Sequence, residues 1–303
     1  MRRSVVALVV VLGGCGGGRD LPATRTGSGS ATAARADAGA PAAATNDATA
    51  ALPASIAYPD LAAALIATIP GDARVVGFGE LHARVDRARV PSALSRFTAA
   101  LSAFADRVSD LVVETWLVDP QCGSGATNAT ARVEAAVKRP AETKSELAAL
   151  GDAARAKGIR PLAMQLSCDD YARIAPPGKD VDYEAMLALV TRELSRLVRG
   201  AVAKPASARP LIAVYGGALH NDRFPEPGTE DWSYAATVDA ATGGRFVEVD
   251  LIVPELAIGD PGSARQPWYP LATAADTRVR VWKRGERSFV VVLPTSAVGS
   301  GAS

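Results

Sequence analysis

From residue 60 to residue 293 the chain alternates between two spacings of apolar side chains. Apolar runs of strand length occupy 74–79, 110–116, 159–166, 210–215 and 245–253, bounded by Gly, Pro, Asp or charged residues. Between them, apolar residues recur every three to four positions, the spacing of a helix with one buried face. Residues 60–69 are one such stretch, stopped by Pro70 and Gly71. In 90–108 the repeat is Leu94, Phe97, Leu101, Phe104 and Val108. Residues 142–157 form a third, with capping chemistry around Thr143 and Glu146 and a stop at Gly158. Residues 182–199 form a fourth, stopped at Gly200. Two last runs, 278–283 and 288–293, are joined by Arg284-Gly285-Glu286-Arg287 and read as a hairpin. This alternation predicts an α/β fold: an open, mostly parallel sheet with helices on both faces and an antiparallel C-terminal hairpin at the edge. There is no internal repeat, so 55–295 reads as one domain and 296–303 as a frayed tail.

The first 54 residues follow a different rule. Arg2 and Arg3 precede an unbroken apolar run over 5–12, which ends in Leu12-Gly13-Gly14-Cys15. Eight apolar residues are too few to cross a bilayer and suit the core of a signal peptide. Small residues before a cysteine at this place resemble the lipobox of bacterial lipoproteins. That resemblance implies cleavage after residue 14, lipidation of Cys15 and, with Gly16 next, an outer-membrane destination in the cell envelope. Residues 15–54 are rich in Gly, Ala, Thr, Ser and Pro and carry few large apolar groups. Such a segment cannot bury enough surface to offset its ordering entropy, so it reads as a disordered leash. A coil of that length spans roughly 30 Å on average.

Charge and cysteine content narrow the partners. Lys and Arg number 33 against 32 Asp and Glu, which argues against nucleic acid as a partner. Three Cys and two His exclude a Cys-rich zinc module. Cys122 and Cys168 each follow an expected strand by a few residues. In an exported protein they are expected to form a disulfide, two separate thiols being the alternative.

In open α/β sheets ligands collect beyond the carboxyl ends of the strands. The first run leads into Gly79-Glu80-Leu81-His82 and the fourth into Gly216-Gly217-Ala218-Leu219-His220. These are the chain's two histidines, each three residues after a glycine. Glu114 lies inside the apolar run Leu111-Val-Val-Glu-Thr-Trp116, where a carboxylate is costly without a partner. Glu80, His82, Glu114 and His220 are therefore the candidate catalytic or metal-binding set. A helix cap for Glu80, a salt bridge for Glu114 and structural histidines are the plainer alternatives.

The stretches Val76-Gly-Phe-Gly-Glu-Leu-His82, Val113-Glu114 and Val214-Tyr-Gly-Gly-Ala-Leu-His220 resemble the superfamily that joins ChaN-like haem-binding proteins, erythromycin esterases and the TraB/Tiki proteins. The resemblance implies that Glu80, His82, Glu114 and His220 are functional. It implies either a hydrolase of the esterase or metallopeptidase kind, working with or without a divalent metal, or a haem- or iron-binding lipoprotein. For haem, His82, His220 and Tyr215 are the candidate axial ligands, with Trp116, Phe78 and Phe224 as the apolar surroundings. The ligand would be a small molecule, a peptide or haem. A non-catalytic envelope module is the third alternative. Gln165, Asp169 and Asp170 at the third strand are further candidates to line the site. Asn221, Asp222 and Arg223 are candidates to orient His220. Arg84, Arg87 and Arg89 are candidates to attract an anion. Ser124 and Ser167 lack a nucleophile-elbow context.

Overall fold

A computed structural model describes residues 52–296, apart from 88, 205–207 and 275, together with residues 8 and 9. Cys15 and most of the expected signal and leash lie outside the described residues, as does the tail beyond 296.

Eight strands between 52 and 296 form one sheet: β1 (Ile56–Tyr58), β2 (Val75–Glu80), β3 (Val108–Leu117), β4 (Arg160–Gln165), β5 (Leu211–Gly217), β6 (Phe246–Ile252), β7 (Val279–Gly285) and β8 (Ser288–Val292). Their order across the sheet is β4-β3-β5-β2-β6-β8-β7-β1. The strands from β4 to β8 in this order pair in parallel. The hairpin strands β7 and β8 are antiparallel, and β1 adds to β7 antiparallel at the outer edge. Leu8–Val9 makes a two-residue antiparallel pairing with Leu117 and Trp116.

Helices cover both faces, as the near-continuous burial of the central strands requires. On one face α1 (Leu61–Thr68), α2 (Ala93–Ala100) and, later in the chain, the helix over Glu142–Ala156 pack on Phe78, Leu111, Ala213, Tyr215 and Val249. The opposite face carries α3 (Gly123–Val137), then α5 (Cys168–Ile174), α6 (Tyr183–Val202) and α8 (Ala235–Thr242), on Val112, Trp116, Val214 and Phe246. Between these in chain order are α4, the Glu142–Ala156 helix just named, and α7 (Ala218–Asn221).

Three local expectations are corrected, and one helix appears where none was expected. The helical repeat over 90–108 is broken: α2 stops at Ala100, two short 3₁₀ turns follow, and Val108 begins β3. Phe104 and Val108 are buried as expected, but from a turn and a strand. Helix α3 escapes the apolar-periodicity test because it buries mostly small residues, Ala126, Ala129, Thr130, Val133 and Val137. Thr143 and Glu146 do not cap α4, whose N-cap Ala141 makes no side-chain bond; Glu146 accepts from the Ser92 hydroxyl instead. Helix α6 runs through Gly200 to Val202. Gly158, by contrast, does end α4, with φ at +70°, where a side chain would be strained.

Neighbouring strands β3 and β4 deliver Cys122 and Cys168 to the same end of the sheet, and the two form a disulfide with Cα atoms 5.2 Å apart. It ties the start of α3 to the start of α5. Replacing both with Ala is expected to lower the unfolding free energy by up to about 4 kcal/mol, the chain-entropy value for a 46-residue separation. Urea unfolding of the two forms measures this, and coincident midpoints would show that the bridge contributes nothing.

Candidate functional site

The carboxyl ends of β3, β5 and β2, three adjacent strands, build the site. Alternation along β2 places Glu80 on the same face as Val76 and Phe78, beside Tyr215 of β5. Glu114 lies on the other face, in step with Val112 and Trp116. Between them the backbone of β5 is bare. A Cβ on Gly216 would stand 2.4 Å from Glu114 Oε2, and one on Gly217 would stand 2.6 Å from His82 Nε2. Glycine is needed here because a carboxylate from one face and an imidazole from the other occupy the space of its missing side chains.

Two histidine–glutamate arms meet at this point. His82 Nδ1 lies 2.7 Å from Glu80 Oε1, and the Tyr215 hydroxyl donates to Glu80 Oε2 at 2.6 Å. In the second arm the Gly217 amide donates to Glu114 Oε2 at 2.6 Å, and Glu114 Oε1 stands 3.7 Å from His220 Nε2. His220 Nδ1 lies 3.0 Å from the Trp232 carbonyl and 2.8 Å from the Thr191 hydroxyl of α6. A carbonyl only accepts, so Nδ1 carries the proton. All four side chains are buried, His82 at 5% and Glu114 at 0% exposure. The four distant candidates therefore share one site, and neither Glu80 as a helix cap nor Glu114 turned away from the histidines is what forms.

Electrostatics fix the resting protonation. Burial opposes charge on Glu80, but His82, Arg139 and the Tyr215 hydroxyl together hold its carboxyl below the usual range. Burial, reinforced by the nearby Arg139 charge, drives His82 down to about 4 against the pull of Glu80. Burial takes His220 to about 4 as well, against its bond to the Trp232 carbonyl. At neutral pH both rings are uncharged, with Nδ1 protonated and directed at a protein acceptor. Their Nε2 atoms carry free lone pairs and have no hydrogen-bond partner, although both are buried.

The remaining candidates fall elsewhere. Asp170 makes a capping box with Ser167 at the start of α5, while Gln165, Asp169 and Ser124 are exposed. Asn221 donates to the Gly77 carbonyl and to Asp250, Asp222 pairs with Arg284, and Arg223 pairs with Asp239. None of these three orients His220; Thr191 and the Trp232 carbonyl do so instead. Arg84 pairs with Asp86 and Arg87 with Asp260. Tyr215 is fully buried with its hydroxyl on Glu80, so it presents no face to a haem. Trp116 and Phe78 belong to cores on opposite faces of the sheet, and Phe224 lies under the Arg284 guanidinium. The apolar surround expected for haem is thus not assembled from these residues. Among the described residues, no three His, Cys, Asp or Glu form a group able to hold a metal ion. Both oxygens of Glu80 are engaged by His82 and Tyr215, which takes it out of the expected ligand set.

Two features lie outside the sequence-derived candidate set. Arg139, in the Lys-Arg-Pro turn before α4, buries its guanidinium with Nη1 3.7 Å from Glu80 Oε1. Glu248 and Asp250, alternating with Val247, Val249 and Leu251 in β6, are buried acids, Asp250 bonded to Asn221 and Glu248 to the Arg223 amide. Burial, and then the negative charges of Glu248 and Asp222 beside it, push the Asp250 carboxyl well above its usual value. A carboxylate inside an apolar run, the signal that singles out Glu114, is present here too.

No protein-family model matches the chain, and no curated protein matches it. Among solved structures it is similar, at 17% identity and a TM-score of 0.32, to a chain described as "Crystal structure of bacterial protein toxins". The match covers 61% of this chain and 35% of that one, so this chain spans about a third of the toxin's length. So low a TM-score carries no argument about fold or activity.

Because both imidazoles take up protons more readily in the unfolded chain, unfolding binds protons between pH 6.5 and about 4. The contribution of the two rings to stability is therefore expected in full above pH 6.5 and to fall as the pH drops toward 4. Urea unfolding across this window measures the slope, and a His82→Gln, His220→Gln double variant is expected to flatten it. A wild-type slope no steeper than the variant's would show that the rings are not buried uncharged. Gly217→Ala is expected to displace the His82 ring, visible as a shifted imidazole resonance in a spectrum holding only two histidines.

Proposed function

We propose that this chain is a hydrolase that cleaves an acyl bond with water activated between the two histidine–glutamate arms, and that it works on a lipid tether in the cell envelope. The observation that carries the reading is the pair of neutral rings with unpartnered Nε2 atoms, that of His82 against Gly217 and that of His220 3.7 Å from Glu114. Each ring is oriented through its other nitrogen, His82 by an ionised carboxylate.

The 3.7 Å between His220 Nε2 and Glu114 Oε1 is too long for a direct bond, and both atoms are acceptors. It suits a water that donates to one of them and is held for attack. As the water oxygen bonds to the carbonyl carbon, its proton passes to His82 Nε2. The imidazolium that forms is stabilised by Glu80, 2.7 Å away on Nδ1. When the tetrahedral intermediate collapses, the carbon–leaving-group bond breaks and His82 returns the proton to the departing oxygen or nitrogen. The products are a carboxylic acid and an alcohol or amine. Since the described residues form no metal-ligand group, no step is assigned to a metal.

The full chain is to be assayed on a panel of nitrophenyl esters, lactones and peptides, with and without chelator. His82→Ala and His220→Ala are each expected to lower kcat/KM at least a hundredfold. Activity is expected to climb as the pH rises through about 4 and to stay level from 6 to 8, since only the unprotonated ring accepts the water's proton. Wild-type rates in both variants would refute the hydrolase reading. For the tether, labelled palmitate is expected on the wild-type chain and lost with Cys15→Ser; equal labelling of the two would refute it.

A further inference from the structure

Arg139 is the charged group of the site that the histidine chemistry leaves unexplained. Its guanidinium is 5% exposed, yet it makes no close ion pair: Nη1 stands 3.7 Å from Glu80 Oε1. Its Nε and Nη2 are buried without any hydrogen-bond partner. Those two atoms form one edge of the planar group, the edge whose parallel N–H bonds match the two oxygens of a carboxylate or phosphonate. A buried donor without a partner is destabilising, and here one edge leaves two such nitrogens. Burial lowers the Arg139 pKa to about 10 while Glu80 and Glu114 oppose the shift, so the group stays charged at neutral pH.

The neighbouring carboxylates do not take up this edge. Glu80 already accepts from His82 and Tyr215, and Glu114 accepts from the Gly217 amide. Both carboxylates are thus engaged by other donors while their field keeps the guanidinium protonated. Arg139 is also fixed from outside. The Val85 amide donates to the carbonyl of the preceding residue, Lys138, at 3.0 Å, and Lys138 pairs with Asp86. The loop that follows His82 is thereby tied to the turn that carries Arg139.

We propose that Arg139 recognises a negatively charged oxygen of the substrate through its Nε–Nη2 edge, which makes the substrate class one that presents an anion beside the scissile carbonyl or develops one upon attack. The proposal rests on the site of the hydrolase reading, but binding of an anion can be measured without turnover.

Phenylphosphonate, a tetrahedral anion, is the probe. The full chain labelled with nitrogen-15 shows two imidazole ring systems, because it holds two histidines. Phenylphosphonate is expected to shift the His82 ring saturably, and neutral benzamide is not. Arg139→Lys keeps the charge but removes the fork, and is expected to weaken phenylphosphonate at least tenfold with an unchanged thermal melt. Arg155→Gln, at an exposed arginine of α4 paired with Asp152, is expected to bind as the wild type does. On a hydrolysed ester, a higher KM at constant kcat in Arg139→Lys assigns the edge to an anion already on the substrate. A lower kcat assigns it to the oxyanion formed on attack. No saturable shift in the wild type overturns the proposal, as does equal affinity in Arg139→Lys, or an equal loss in Arg155→Gln. Should Arg139→Lys fail to fold, Lys138→Gln, which releases the Asp86 tie beside Arg139, is expected to weaken the probe without abolishing it; unchanged binding there counts against the proposal. Binding without hydrolysis of any ester would leave this proposal standing and remove the hydrolase reading; hydrolysis without phenylphosphonate binding would do the reverse.

Discussion

Glu80 keeps its charge at a water-poor edge of the sheet because donors converge on it: the Nδ1–H of His82, the hydroxyl of Tyr215 and, at longer range, the Arg139 guanidinium. A buried carboxylate without such partners would take a proton instead. Everything else in the site follows from that ionised group. It fixes the tautomer of His82, which leaves Nε2 as an acceptor, and it holds Arg139 in place by field rather than by a close bond. The three donors come from a loop, a central strand and an interhelical turn, so the site forms only when all three are assembled.

The sheet turns these contacts into a junction between its two faces. Glu80 and Tyr215 belong to the α2 and α4 side, Glu114 and His220 to the α6 side. Ordinarily the side chains of a strand keep such groups apart. At Gly216 and Gly217 there are none, and the carboxylate and imidazole close to within contact of the backbone. Four of the nine buried side-chain polar atoms without partners among the described residues belong to the site: His82 Nε2, His220 Nε2 and the Nε and Nη2 of Arg139. A folded protein rarely leaves such groups unmet. Their clustering separates this edge from the ordinary capping and pairing seen at Asp170, Asp222 or Arg87.

The rest of the fold supports this edge. Apolar cores lie under the site on both faces, and on one of them the tilted ring of Phe97 bridges Phe78 and Tyr215 at centroid distances of 4.7 and 4.8 Å. The disulfide closes the same end of the sheet at β3 and β4. Rigid support of this kind holds rings and carboxylates at fixed separations, as proton transfer requires.

Much of this was legible along the chain. Strand-length apolar runs, helical spacing and the terminal hairpin are local patterns that follow from burial, and they specify a mostly parallel sheet with two covered faces. Two glycine-preceded histidines and a glutamate in an apolar run mark which strand ends meet. What tertiary structure alone decided is who partners whom. Thr191 and the Trp232 carbonyl, rather than the neighbouring Asn221, Asp222 or Arg223, orient His220. Arg139 enters the site from a turn that no pattern distinguishes. Helix α3 is built on small residues whose burial depends on α5 lying against it. The physical reason is one of range. Hydrophobic periodicity acts over a few residues and is written locally, whereas the choice among hydrogen-bond partners is made only after elements separated by tens of residues have packed.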